Sequence, residues 1–187
     1  MTDFPRPLPI IHSSELLDPH GRFPLEQLEL EFANGATRRY ERLRGSGRGA
    51  VLIVPMRDAD TVLLIREYAC GLHRYELGLP KGRLEHDEDI LDGANREMKE
   101  EVGYGARELT LIHHLSLAPT YMSHQTHIVL ARDLFEERLE GDEPEPIEVI
   151  PWSMAKLEDL IERDDVTEGR SIAALFIARA WLARHGA

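Results

Sequence analysis

The chain has 187 residues, 42% apolar and 30% charged, which suits one compact catalytic domain with a small appendage and excludes a disordered chain. A formal net charge of −12 argues against a duplex nucleic-acid partner, because such binders need a basic face to displace phosphate counterions. Cys70 is the single cysteine, so no intrachain disulfide is expected and any metal should sit on oxygen or nitrogen. No apolar run reaches the length of a membrane span, and the start MTDFPRPLPIIHSSE lacks the pattern of a signal peptide, so neither a membrane partner nor export is expected and the cytoplasm is.

Residues 1 to about 22 show little periodicity and read as a partly ordered arm. A β-hairpin is predicted from Leu25 to Arg42, because two strand-like runs bracket Asn34-Gly35, a pair that tolerates the positive φ of a tight turn. This arm and hairpin, residues 1–45, form the expected appendage, and residues 46–187 the expected catalytic domain. AVLIVPM from Ala50 reads as a strand buried on both faces, Asp58 to Asp60 as a turn, and TVLLIREY as a second strand. LGLPKG after Glu76 should interrupt regular structure.

An acidic loop from Gly82 then feeds a helix predicted from about Glu88 to Val102, with Leu91, Ala94, Met98 and Val102 on one face and Gly103 as terminator. Strands follow near 109–117 and 126–134. EERLEGDEPEP is a loop with two prolines, IEVIPW a short strand, and 153–163 and 168–185 helices. Strands, helix, strands and helices in that order predict an α/β fold, an α/β/α sandwich around a mixed sheet.

On the predicted helix, Glu97, Glu100 and Glu101 stand at i, i+3 and i+4. Three such carboxylates repel one another unless hard cations sit between their oxygens. Alone, EMKEE would be an ordinary solvated acidic face. Its flanks change that: Gly82, Glu88, Arg96, Glu97, Glu100, Glu101 and Gly103 satisfy G-x5-E-x7-R-E-U-x-E-E-x-G, with Met98 as the bulky aliphatic U. Chance would give seven fixed matches at about one start position in 10⁸.

This segment resembles the Nudix box, departing from it only at Tyr104, where the pattern usually has Ile, Leu or Val. The resemblance implies the Nudix fold and a pyrophosphohydrolase that needs Mg²⁺, with Mn²⁺ as a substitute. It also implies that Glu97, Glu101 and Glu100 hold the metal together with the backbone carbonyl of Lys81, and that Arg96 and Glu88 fix the loop to the helix. Pro119, fifteen positions beyond the box, resembles the proline marker of ADP-ribose pyrophosphatases. The SLAPTYMS segment, the hairpin ending in RRYERLR and the loop GDEPEPIEV resemble the ADP compounds hydrolase branch.

That branch implies hydrolysis of ADP-ribose, diadenosine triphosphate and NADH to AMP and the other half, by a homodimer. Arg66, Glu76, Tyr121 and Ser123 become candidates for binding this nucleotide substrate; Tyr40 is either a stacking ring or a hairpin packing residue. Glu143 and Glu100 are the catalytic candidates, with Glu143 the general base, Glu145 a further metal ligand and Glu148 the substitute base. A nucleoside triphosphate sanitiser and a non-catalytic nucleotide sensor are the alternatives that share the box.

Overall fold

A computed structural model describes residues 7–18, 24–45 and 47–186. The chain divides into two compact units, one of residues 1–47 and Ser116–His124, the other of Arg48–Leu115 and Gln125–Ala187. Inclusion of 116–124 in the first unit has no counterpart in the sequence division at residue 45.

The first unit is an antiparallel sheet of β1 (Ile10–Leu16), β2 (Leu25–Glu31) and β3 (Thr37–Leu43), in that order. The hairpin β2–β3 turns through residues 32–36, closed by Phe32 N–H on Ala36 O at 3.0 Å, with Gly35 at φ 78°. The arm is more regular than its sequence implies, because residues 10–16 form β1; every residue of β1 is exposed, so no burial period marks it. The rest of that arm, 1–6 and 19–22, lies outside the described residues. Glu26 and Leu28 are the buried side chains of the sheet, and Glu26 accepts from Ser14 Oγ and Arg42 Nε, each at 2.6 Å. The 116–124 segment is tied to β3 by Leu43 N–H on Tyr121 O at 2.7 Å, and Gly45 N–H donates to Ser123 Oγ at 2.9 Å.

The second unit is the expected α/β/α sandwich. Its strands are β4 (Ala50–Pro55), β5 (Thr61–Ala69), β6 (Arg74–Gly78), β7 (Lys81–Arg83), β8 (Tyr104–Ser116), β9 (Gln125–Glu136) and β10 (Glu148–Ser153), and its helices α1 (Ile90–Glu101), α2 (Leu157–Ile161) and α3 (Gly169–His185). They form two sheets, ordered β7-β4-β9-β8 and β10-β5-β6; β4 runs parallel to β9 and antiparallel to β7.

Period-two alternation divides each strand between two cores. Val51, Ile53, Leu63, Ile65 and Val129 face Ala94 and Met98 of α1. Leu52, Val54, Val62, Leu64 and Ile128 face Leu157, Leu160 and Leu175 of α2 and α3.

Three boundaries differ from the sequence reading. LGLPKG breaks regular structure only at Leu79 and Pro80; its ends belong to β6 and β7, because Lys81–Arg83 pairs with Leu52–Ala50. The helix begins at Ile90, not Glu88: Asp89 caps it by accepting from Leu91 N–H at 2.8 Å. β8 starts at Tyr104, directly after Gly103 at φ 82° ends the helix.

Candidate active site

The second unit places its carboxylates where α1 meets β7. Glu88 lies in the loop just before the helix cap and is clamped to the helix: Arg96 donates Nε to Glu88 Oε1 at 2.8 Å and Nη2 to Oε2 at 3.0 Å, while Nη2 also reaches Arg83 O at 3.1 Å. The Arg96 bond holds the Glu88 carboxyl below its ordinary value. This bidentate clamp ties the loop to the helix. Arg96 Nη1 continues to Glu97 at 2.9 Å and Glu100 at 3.1 Å, so one guanidinium organises three acids.

Glu101 is 3% exposed and accepts the Lys81 backbone N–H at 2.8 Å. Lys81 Nζ donates in turn to Glu67 at 2.8 Å. Burial pushes the Glu101 carboxyl up to about 8 against the nearby Lys81, with Glu67 and Glu97 adding repulsion. Burial likewise raises Glu97, against the pull of Arg96. Glu97 lies flat on the chain at Gly82, where an added Cβ would overlap its carboxylate. A larger residue at 82 would have to push that carboxylate out of place; the glycine there answers to close approach, not to turn geometry.

This donor set fits a divalent cation. It consists of hard oxygens with buried anionic charge that Lys81 and Arg96 leave incompletely balanced. Among the described residues, no three Asp, Glu, His or Cys side chains already converge on one point as a preformed metal site. Arg96 holds Glu97 and Glu100 instead.

A cleft of about 280 Å³ opens beside the cluster, lined by Glu67, Glu76, Lys81, Thr167 and Arg170 among others. Glu76 is buried and accepts from Arg74 Nε at 2.5 Å, Thr167 N–H at 3.1 Å and Thr167 Oγ1 at 2.8 Å. Its burial would raise its pKa, but Thr167 and Arg74 outweigh that and lower it.

The other sequence candidates are dispersed. Arg66 donates to Glu148 at 2.9 Å and Asp165 at 2.6 Å, which commits both Arg66 and the substitute base Glu148 to an ion-pair chain. Asp165 is lowered to about 2 by Arg163 and, less, by Arg66. The loop between β9 and β10 brings Gly141 against the Glu100 side chain, with the Glu143 carboxylate beside Gly141. Glu145 accepts from the Tyr75 hydroxyl and does not join a metal-holding group with the box acids. Tyr40, Tyr121 and Ser123 belong to the N-terminal unit, where Tyr40 tilts against Phe32 with ring centres 6.4 Å apart.

Sequence reasoning missed Glu67, Thr167 and Tyr75. Glu67 carried a signal: it continues the Leu63, Ile65 face of β5, so an acid there points to where the apolar neighbours point. Thr167 and Tyr75 carried none, since their partners lie 91 and 70 positions away in the chain.

With the sandwich, the box helix and its cleft in place, the Nudix domain pattern matches residues 47–176 and the NudE-type Nudix hydrolase N-terminal domain matches 9–42. The chain belongs to the Nudix family and is a hydrolase of its NudE-type branch. It is 50% identical to ADP compounds hydrolase NudE of Escherichia coli (strain K12) over 88% of each chain. It is 30% identical to the ADP-ribose pyrophosphatase of Bacillus subtilis (strain 168), over 79% of this chain and 80% of that one. A crystal structure of an ADP compounds hydrolase superposes with a TM-score of 0.88 at 46% identity, covering 97% of both chains. Hydrolases of this family generally need a divalent metal. Among the described residues, no helix is long and apolar enough to cross a membrane.

Proposed function

We propose that this protein is a Mg²⁺-dependent pyrophosphohydrolase that splits ADP-X compounds, such as ADP-ribose, diadenosine triphosphate and NADH, into AMP and the phosphorylated second half. The observation that carries this reading is the buried Glu101, raised to about 8 beside Glu97 and Lys81, in a chain half identical to an ADP compounds hydrolase.

A pyrophosphate linkage repels nucleophiles through its own negative oxygens, so its hydrolysis needs charge neutralisation and a proton acceptor together. Glu97, Glu101, Glu100 and the Lys81 carbonyl would hold Mg²⁺, with Glu145 as a further ligand, and the bound cation would supply the neutralisation. Lys81 Nζ, already in the cleft, adds a fixed positive charge beside the phosphates. Arg96 keeps Glu97 and Glu100 oriented. Glu143, in the exposed loop next to Glu100, takes the proton from the attacking water. The cleft takes one half of the substrate, with Glu76 in its wall and Arg66 contributing from the ion-pair chain outside it.

The N-terminal unit fits a homodimer. It exposes Ile10, Ile11, Leu16, Leu17, Tyr40 and Tyr121, each at least 39% accessible, more apolar surface than a small sheet leaves bare without a partner. In that assembly Tyr40, Tyr121 and Ser123 enclose the adenosine of the partner's substrate.

Purified protein with Mg²⁺ is tested against nucleoside diphosphate derivatives and nucleoside triphosphates, following AMP release. Turnover of ADP-ribose, diadenosine triphosphate or NADH is expected; a preference for 8-oxo-dGTP or deoxynucleoside triphosphates overturns the substrate class. Glu143→Gln should lower kcat with Mg²⁺ dependence kept, whereas an inactive Glu148→Gln beside a normal Glu143→Gln would reassign the base. Light scattering at micromolar concentration giving a mass near 21.3 kDa would remove the dimer.

A further inference from the structure

The loop that carries Glu143 and Glu145 is pinned at both ends. At its start, Leu139 N–H donates to Lys99 O at 3.2 Å, and Arg138 reaches Val102 O at 3.3 Å. At its end, Glu148 enters β10 opposite Arg66 and pairs with it. Between these anchors, among the described residues, the loop is held by one further side-chain bond, from the Tyr75 hydroxyl to the Glu145 carboxylate.

Tyr75 is held in place to make it. Its ring meets Tyr68 edge-on with centres 5.9 Å apart, and the Tyr68 hydroxyl pairs with His73 Nδ1 at 2.6 Å.

The position of this bond matters. Glu67 pairs with Glu76, and Tyr68 with Tyr75, in the β5–β6 register. Side chains alternate along strands, so the two tyrosines lie on the opposite face of this pair from Glu67 and Glu76. Glu67 shares Lys81 with Glu101. Glu145 on Tyr75 is therefore held away from the face where the box acids gather. Pro144 and Pro146 flank it and restrict its backbone.

We infer that Tyr75 is a positioning residue: its hydroxyl parks Glu145 off the carboxylate cluster, and a divalent cation must win Glu145 from it before the site is complete. The inference rests on Glu145 being the additional ligand. Its consequence is that the tyrosine weakens metal binding while holding the loop in one place, because a ligand bound elsewhere reduces apparent affinity by the fraction of time it is unavailable.

The test uses the full chain and two readouts that do not depend on turnover. Hydrogen exchange of residues 139–145 reports the loop, and electron paramagnetic resonance of free Mn²⁺ reports metal binding. Tyr75→Phe keeps the ring and removes the bond; it should speed exchange and tighten Mn²⁺ binding, each about three- to tenfold. Adding Glu145→Gln should abolish the gain in affinity. Tyr68→Phe, which keeps the ring that braces Tyr75, should match wild type in both.

Unchanged exchange in Tyr75→Phe would overturn the inference. So would faster exchange with equal or weaker Mn²⁺ binding, because the bond would then only brace the loop. If no ADP-X compound is hydrolysed, these two readouts still decide the role of Tyr75.

Discussion

The two compact units of this chain are stabilised in opposite ways. The Nudix unit has two apolar cores, one on each side of its strands, with Leu52, Ile53, Leu64, Met98, Leu130 and Leu175 almost fully enclosed. The N-terminal sheet buries Leu28 beside a charged centre, Glu26 with Ser14 and Arg42, half-buries Leu25, Leu30 and Leu43, and leaves Ile10, Ile11, Leu16 and Tyr40 exposed. Nature of burial follows from use: the Nudix unit must hold like charges close together against their repulsion, and the N-terminal sheet presents a surface.

The sharpest way to break this comparison is at the charges themselves. Glu101→Gln removes the anion that the Nudix core encloses, and it should lower kcat by about a thousandfold or more while the fold survives. Rates near wild type in a folded Glu101→Gln protein would refute the site.

Next in size come the cores. Met98→Ala empties a fully enclosed position under α1 and should cost about 2–4 kcal/mol in denaturant unfolding. Leu28→Ala, in the thin sheet, should cost about 2 kcal/mol or less, since less packing surrounds it. An equal or larger loss at Leu28 would mean that the N-terminal unit has a core of its own strength, supplied by a partner copy.

The smallest effect is in the pH dependence of stability. Glu101 titrates near 8 in the folded chain and at 4.5 in the unfolded reference. The metal-free folded state thus binds more protons than the unfolded one between these values, and stability falls as pH rises through that window. With chelator present, wild type should lose about 1–3 kcal/mol from pH 5 to 8 relative to Glu101→Gln, after allowance for relaxation of the buried group. Mg²⁺ should reduce that difference; parallel curves without metal would show that Glu101 is solvated.

The box was legible because its chemistry is local. Gly82, Glu88, Arg96, Glu97, Glu100 and Glu101 lie within one loop and helix, so spacing along the chain carries their geometry. Buried strands such as β4 were legible for a similar reason, their apolar runs being unbroken. What escaped was set by distant pairing. β1 has no buried residue to mark it, and Glu76 meets Thr167 only because α3 begins beside β6. The commitment of Arg66 to Asp165 and Glu148 likewise depends on a register between β5 and β10 that no local pattern states.

The close approach of Gly82 and Glu97 makes the two positions interdependent. A methyl group at 82 meets the Glu97 carboxylate where it now lies, so Gly82→Ala is accommodated only if that acid swings aside or is shortened, as in Glu97→Asp. The group that must yield is the carboxylate that Arg96 orients, so a change at the glycine is felt first as a displaced acid rather than as a strained backbone.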